Sequence, residues 1–351
     1  MDTEILRTDT EEATALAVKR AVEVLRSGNI VALPTETVYG LGADAFNAAA
    51  VAKIYAAKDR PSFDPLIVHV SGQKALREVA DVPEELRKIV RTLTELFWPG
   101  PLTLVLPKHD RVPDIVSAGL PTVGVRCSQH EIFSEIVTAL GRPIAAPSAN
   151  RFGRISPTAA AAVASELDGR IPLIVDGGAC ARGIESTIVR PTAPSEKSKG
   201  KATLQILRSG PISEADLKRY AKIERVANDA VSENAPEAPG LLASHYAPLT
   251  PLRLLGKPQD FMPHPGKRYG LLSYRGKKKD GYVQLHHWDE VEILSPGSGK
   301  TTEAALRFFF LLRKLDESGV DEIIAEPVSD FGVGAAIMER LQRAAIKEDR
   351  S

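Results

Sequence analysis

Cysteine is scarce in this 351-residue chain: there are two, Cys127 and Cys180, far apart and neither in a C-x-x-C. That speaks against a zinc cluster or a disulfide framework and fits a reducing compartment such as the cytoplasm. Net charge is missing as well, with 45 basic residues balanced by 45 acidic ones. No whole-chain field draws the protein to nucleic acid, although a local patch stays open. No stretch reaches the roughly 18 apolar residues of a membrane span. The opening MDTEILRTDTEEA is acidic and has no apolar core, unlike a signal peptide. Neither H-E-x-x-H nor G-x-S-x-G occurs, so no strong base or nucleophile is advertised. Internal repeats and low-complexity tracts are also missing.

What is present is a globular composition, 43% hydrophobic and 26% charged, in a chain long enough for one large domain or two ordinary ones. Helical spacing runs from Glu11 to Ser27 and stops at Gly28. Strands are expected at 29–33, 66–70, 103–106, 123–125, 144–146, 173–176, 186–189 and 204–207. Helices are expected at 48–57, 84–97 and 158–167. This interspersion reads as α/β with a twisted mixed sheet. The run PTAPSEKSKGK is a polar loop, and the proline-rich, aperiodic stretch 227–251 reads as an extended linker. Alternation then resumes, with strands at 252–255, 269–272, 291–294 and 322–326 and helices at 302–315 and 334–346. That pattern suits a small, doubly wound, Rossmann-like domain.

Candidate chemistry sits mainly at strand ends. In P-T-E-T-V-Y-G-L-G, Thr35, Thr37, Gly40 and Gly42 offer hydroxyls and close backbone approach; an ordinary turn explains the string equally well. K-D-R-P carries Lys58 and Arg60, two cations that an extended chain would point the same way for a polyphosphate; the bland rival is a solvated basic turn. His69 lies in the apolar L-I-V-H-V and reads as a pocket wall, not a general base. F-W-P-G-P-L-T-L-V-L is most simply structural. Ser117, Gly119 and Thr122 lead to Arg126, an anion partner or one half of a salt bridge. A-A-P-S-A-N presents Ser148 and Asn150. Ser156 stands before the 158–167 helix, able to bind phosphate or to cap it. D-G-G and G-I-E-S-T-I-V bring Ser186 and Thr187, and Arg208 ends the next strand.

The joint order of PTETVYGLG, KDRP, PLIVHV, FWPGPLTLVL, APSAN, DGG and GIESTIV resembles the YrdC-like threonylcarbamoyl-AMP synthase family over residues 12–212. S-H-Y-A-P (Ser244–Pro248) and the late A-A-I-M-E-R-L-Q-R-A-A resemble its long, two-domain form. The resemblance implies a YrdC-like catalytic domain at 12–212, a linker at 213–250 that folds over the active site, and a C-terminal domain at 251–348. It implies an ATP-using nucleotidyltransferase that turns L-threonine, bicarbonate and ATP into threonylcarbamoyl-AMP and pyrophosphate for tRNA modification. Thr35, His69, Thr122, Ala146 and Ser186 would face threonine. Lys58, Arg60, Ser62, Ser117, Ser148, Asn150, Ser156, Arg208 and Tyr246 would face ATP. Magnesium would travel with ATP, and no protein metal ligands are expected. Implied partners are a downstream tRNA threonylcarbamoyl transferase and a weakly held tRNA or double-stranded RNA, in the cytoplasm and away from membranes.

Three rival readings stand beside this one. Pro296-Gly297-Ser298-Gly299-Lys300-Thr301 follows a strand and opens a helix, as a P-loop of an NTPase would, but Leu294 occupies the position of its first glycine. A YrdC-like domain could be an RNA-binding module, which the zero net charge disfavours. Carbamoyl transfer in hydrogenase maturation uses a related domain, but with zinc-binding C-x-x-C pairs that this chain lacks.

Overall fold

The computed structural model describes residues 2–193, 202–225 and 245–345. The chain separates into two compact units. The first comprises Met1–Phe152, Pro157–Ala181 and Glu185–Leu242; the second comprises Gly153–Ser156, Arg182–Ile184 and Ala243–Ser351. Two short stretches expected in the catalytic domain thus belong to the second unit. The polar loop at 194–201 and the middle of the expected linker, 226–244, lie outside the described residues.

The first unit is built on an eleven-stranded mixed sheet. In chain order its elements begin β1 (Glu4–Arg7), α1 (Glu11–Arg26), β2 (Val31–Leu33), β3 (Gly40–Asp44), α2 (Ala48–Lys58) and β4 (Ile67–His69). There follow α3 (Glu84–Phe97), β5 (Leu102–Pro107), α4 (Asp114–Ser117), β6 (Thr122–Arg126), α5 (Glu131–Leu140) and β7 (Ile144–Ala145). The unit ends with α6 (Ala160–Leu167), β8 (Leu173–Asp176), β9 (Thr187–Thr192), β10 (Thr203–Arg208), α7 (Glu214–Leu217) and β11 (Lys222–Arg225). Across the sheet the order is β1-β8-β2-β3-β7-β4-β6-β5-β9-β10-β11. Residues 213–225, expected as linker, instead carry α7, closed by a reciprocal Ser213–Asp216 capping box, and β11, which pairs with β10.

Local chemistry sets the boundaries. Thr10 accepts from the Ala13 amide to start α1, and Asn47 does the same for Ala50 at α2. Helix α2 stops because Asp59 turns left-handed, with φ 53°. Alternation along the strands sorts the sheet into two faces. Leu66, Val68, Leu102, Leu104, Leu106, Val123 and Val125 enter the main core, with Ile54 and Val51 of α2 and Leu93 of α3. On the opposite face, Ala21 and Leu25 of α1 and Phe133 and Ile136 of α5 pack over Val31, Leu33 and Ile144.

The second unit is a four-stranded parallel sheet in the order β12-β15-β13-β14. Its strands are β12 (Leu252–Leu254), β13 (Tyr269–Ser273), β14 (Glu290–Ile293) and β15 (Glu322–Ala325), with helices α8 (Thr301–Glu317) and α9 (Val333–Ala344). Gly270 faces Leu315 of α8, whereas Tyr269, Leu271 and Ile324 turn to the other side. Among the described residues that second face is covered by Phe261, Tyr282 and Trp288 rather than by an α-helix. Among the described residues no helix is long and apolar enough to cross a membrane.

Candidate active site

The glycines of PTETVYGLG are not a ligand cradle. Gly40 and Gly42 lie in β3, paired with β2, and a Cβ on Gly42 would meet Ile144 at 2.8 Å. They are glycine because neighbouring strands crowd them. Thr35 lies in the loop before β3. Its hydroxyl donates to the Val38 carbonyl at 2.6 Å and accepts from the Thr37 and Val38 amides.

Lys58 and Arg60 do not sit in extended chain. Lys58 is the last residue of α2, and the left-handed turn at Asp59 redirects Arg60. The Lys58 ammonium is buried and donates to the Ser148 carbonyl at 2.7 Å and to the Asn150 carbonyl. APSAN thus meets Lys58 through its backbone, not through its side chains. Burial, reinforced by nearby Arg60, pulls the Lys58 pKa down to about 7. Arg60 forms a buried ion pair with Asp64 at 2.9 Å and donates to the Asp64 and Pro65 carbonyls. Burial raises the Asp64 pKa against the opposing charges of Arg60, Lys58 and Arg208. Three cations, from the end of α2, the following loop and the end of β10, therefore act on one buried carboxylate.

A second polar cluster occupies the sheet face opposite the main core. Gly124 approaches Thr103 and Ile67, which fixes the shared face of β4, β5 and β6, and alternation puts His69 and Arg126 on it. His69 and Arg126 are partners in the parallel pairing of β4 with β6. The His69 ring leans on Phe133 at 4.7 Å. Burial, with Arg126 adding to it, holds the His69 pKa down to about 3, so the ring is neutral. Arg126 pairs with Glu36 at 2.7 Å and donates to the Thr37 hydroxyl at 2.9 Å. Burial pushes the Glu36 carboxyl up, but the Arg126 charge and a hydrogen bond from Ser128 outweigh it and hold the pKa at about 2. Arg126 Nε and His69 Nδ1 are buried with no hydrogen-bond partner among the described residues. On the same sheet, Ser186 meets the Thr103 hydroxyl at 2.8 Å, and Arg208 donates to the Ser186 carbonyl and hydroxyl. A small apolar patch of Ile67, Val105 and Ile188 floors this face.

One segment joins the two clusters. The Ala146 amide donates to the Ile67 carbonyl, Ser148 bridges Gly40, and Asn150 reaches Lys58. Thr122 opens β6. Ser117 is buried at the end of α4, its hydroxyl bonded to the Asp114 carbonyl at 3.3 Å. Ser62 is exposed in the turn after Arg60. Ser156 does not cap α6, which begins at Ala160 behind Ala159; it belongs to the second unit. Tyr246 is also in the second unit, buried and left-handed with φ 65°. It lies beside Phe309 of α8 at 5.7 Å and Arg340 of α9 at 5.5 Å.

The expected site set omits Glu36, Asp64, Thr103 and Ser128; Arg126, read as an anion partner or one half of a salt bridge, makes its ion pair with Glu36 in the buried interior. Asp64 carried a usable signal, a carboxylate four residues beyond a cation. Glu36 stood in plain view inside PTET.

In the second unit the glycine-rich turn is already occupied. The Ser295 and Ser298 hydroxyls donate to the Glu303 carboxylate at 2.7 and 2.9 Å. A phosphate at the start of α8 would have to displace that internal anion, which disfavours the P-loop reading.

Comparison with known proteins adds independent findings. A family model described as "Telomere recombination" matches residues 23–210, and one described as "Threonylcarbamoyl-AMP synthase, C-terminal domain" matches 212–346. The threonylcarbamoyl-AMP synthase of Pyrococcus abyssi is 38% identical over 93% of this chain and 94% of its own length. That of Bacillus subtilis is 40% identical over 93% and 92%. That of Schizosaccharomyces pombe is 36% identical over 95% and 89%. The crystal structure of P. abyssi Sua5 complexed with L-threonine superposes with a TM-score of 0.83, at 35% identity and 98% coverage of both chains.

Proposed function

Because the chain belongs to the threonylcarbamoyl-AMP synthase family, we propose that it is an L-threonylcarbamoyladenylate synthase, forming threonylcarbamoyl-AMP and pyrophosphate from L-threonine, bicarbonate and ATP. The observation that carries this reading is the convergence of Lys58, Arg60 and Arg208 around Asp64, beside a face where Arg126 and His69 keep unpaired buried polar atoms. Such a site suits a polyphosphate next to a small carboxylate-bearing molecule. The known threonine complex of a relative supports the second half of it.

In the reaction the carboxylate of N-carboxylated threonine attacks the α-phosphorus of ATP. A new P–O bond forms as the bond to pyrophosphate breaks, and the electron pair leaves with pyrophosphate. Such transfer needs positioning and charge neutralisation more than a strong base. Neutral His69 fits that demand as a wall and hydrogen-bond partner. Thr35, Thr122, Ala146 and Ser186 complete the threonine side, with Arg126 anchoring its carboxylate. Lys58, Arg60, Ser62, Ser117, Ser148, Asn150 and Arg208 form the nucleotide side. Magnesium enters as part of the MgATP substrate, held mainly by phosphate and water. The product passes to a tRNA threonylcarbamoyl transferase in the cytoplasm, with at most a weak contact to tRNA.

A pyrophosphate-release assay with each substrate omitted in turn tests this. Release should fall to background without ATP, without bicarbonate or without L-threonine. Undiminished release in the absence of threonine or bicarbonate would mean plain ATP hydrolysis and would end the assignment.

A further inference from the structure

We infer that Glu36 is a positioning residue for substrate binding: with Ser128 behind it, its carboxylate holds Arg126 so that the guanidinium Nε is presented to the carboxylate of L-threonine. The inference rests on the proposed reaction, and specifically on Arg126 as the carboxylate anchor.

The argument begins with the cost of burying a guanidinium. Glu36 and Arg126 are 5% and 4% exposed. A buried cation without a partner carries a desolvation penalty of several kcal/mol, so an unpaired Arg126 would swing toward water or distort the strand end. The structure meets that cost at two of the three guanidinium nitrogens. Glu36 Oε1 lies 2.7 Å from Nη2. Thr37 Oγ1 accepts from Nη1 at 2.9 Å, and Thr37 is tied in turn to Thr35 Oγ1 at 2.9 Å. Among the described residues Nε is left buried with neither a hydrogen-bond partner nor an ion pair, whereas Nη2 faces Glu36 as an ion pair without a hydrogen bond. Glu36 is immobilised from its far side, because Ser128 donates to Oε2 at 2.6 Å. The chain Ser128–Glu36–Arg126–Thr37–Thr35 therefore leaves one edge of a fixed cation open for an incoming anion. His69 Nδ1, on the neighbouring strand at the paired register position, is also buried without a hydrogen-bond partner among the described residues.

A carboxylate beside a carboxylate-binding arginine invites a second explanation, in which Glu36 takes the threonine ammonium directly. The two roles predict different ligand dependence. L-Threoninamide keeps the ammonium, hydroxyl and methyl groups but lacks the carboxylate. A positioning role touches binding of threonine only, whereas an ammonium contact touches both ligands.

The test is calorimetric titration of the full-length protein with L-threonine and with L-threoninamide. The variants are Glu36→Gln, Ser128→Ala and Arg126→Lys, the last chosen because it leaves Glu36 a counter-charge. Glu36→Gln should weaken threonine binding roughly tenfold or more while threoninamide stays within about twofold. Ser128→Ala should move the same ratio in the same direction by less. Arg126→Lys should collapse it. If Arg126→Lys leaves the preference for threonine over threoninamide intact, the anchor reading itself is wrong. If it collapses the preference but Glu36→Gln does not, positioning by Glu36 is wrong. Equal weakening of both ligands in Glu36→Gln also overturns the inference, in favour of an ammonium contact. Should Glu36→Gln fail to fold, Ser128→Ala decides, and an unchanged ratio there rejects the proposal.

Discussion

Lys58 shows how burial can couple a binding site to pH. Its ordinary pKa of 10.5 falls to about 7, so between those values the folded protein holds fewer protons than the unfolded chain. Stability then rises with pH through that window, and the cost of burying the charge is felt fully at and below pH 7. Gripping a triphosphate needs the ammonium form, so ATP binding at pH 8 should draw a proton from solution. Calorimetry in buffers of differing ionisation heat should report uptake approaching one proton. Lys58→Arg, which stays charged, should abolish that buffer dependence. No proton uptake by the wild type would mean that Lys58 is already charged or does not meet the phosphates. At this scale the sequence was half legible. Residue types and order pointed to Lys58, Arg60, His69 and Ser186. Of the carboxylates that hold the arginines, Glu36 left no local pattern, being ninety positions from Arg126, whereas Asp64, four residues from Arg60, left one that was not used.

At the scale of elements, strands with dense β-branched content, such as Ile67–His69, and the helices with regular apolar spacing were legible. Strand β1 was not expected: Glu4–Arg7 is a short, largely exposed edge strand without a clean alternation. Helix α5 was not expected either, although Ile132, Phe133, Ile136, Val137 and Leu140 carry helical spacing; no side-chain cap marks its start. Glycines misled in a consistent way, since those in PTETVYGLG serve packing. Gly183 makes the same point inside the second unit. Its φ is 71°, and a Cβ there would lie 2.4 Å from the carbonyl oxygens of Ala305 and Leu306 in α8. Gly183→Ala should cost about 3 kcal/mol from left-handed strain plus overpacking, lowering the thermal midpoint by roughly 5 °C or more. Gly141→Ala, left-handed with φ 70° but with open space around its Cβ, should cost only the strain, about 1–2 kcal/mol. Equal losses in the two variants would mean that the approach to α8 is not tight in solution.

For the whole molecule, the two α/β regions were legible from the return of alternation after 251, but their interleaving was not. The grouping of 153–156 and 182–184 with the second unit is made by long-range contacts that no window of sequence contains. Arg313 of α8 donates to the Ile155 carbonyl at 2.8 Å, and the Ala247 amide donates to the Gly153 carbonyl at 2.8 Å. The burial of Tyr246 also alters how a role for it in the reaction must be tested. Removing its ring beside Phe309 and Arg340 should cost roughly 3–5 kcal/mol, so Tyr246→Ala would mix folding with function. Tyr246→Phe keeps the ring. If its hydroxyl takes part in the reaction, this variant should lower pyrophosphate release while moving the thermal midpoint little. Unaltered release would remove the hydroxyl from the mechanism.

The same interleaving has a consequence for synthesis. The Gly153–Ser156 and Arg182–Ile184 stretches leave the ribosome well before Thr301–Glu317 exists, earlier by on the order of ten seconds at about 5–20 residues per second. During that interval the segments flanking Asn150 and Ser186 lack the helix they will rest against. Both stretches therefore wait for their packing partner until translation is almost complete.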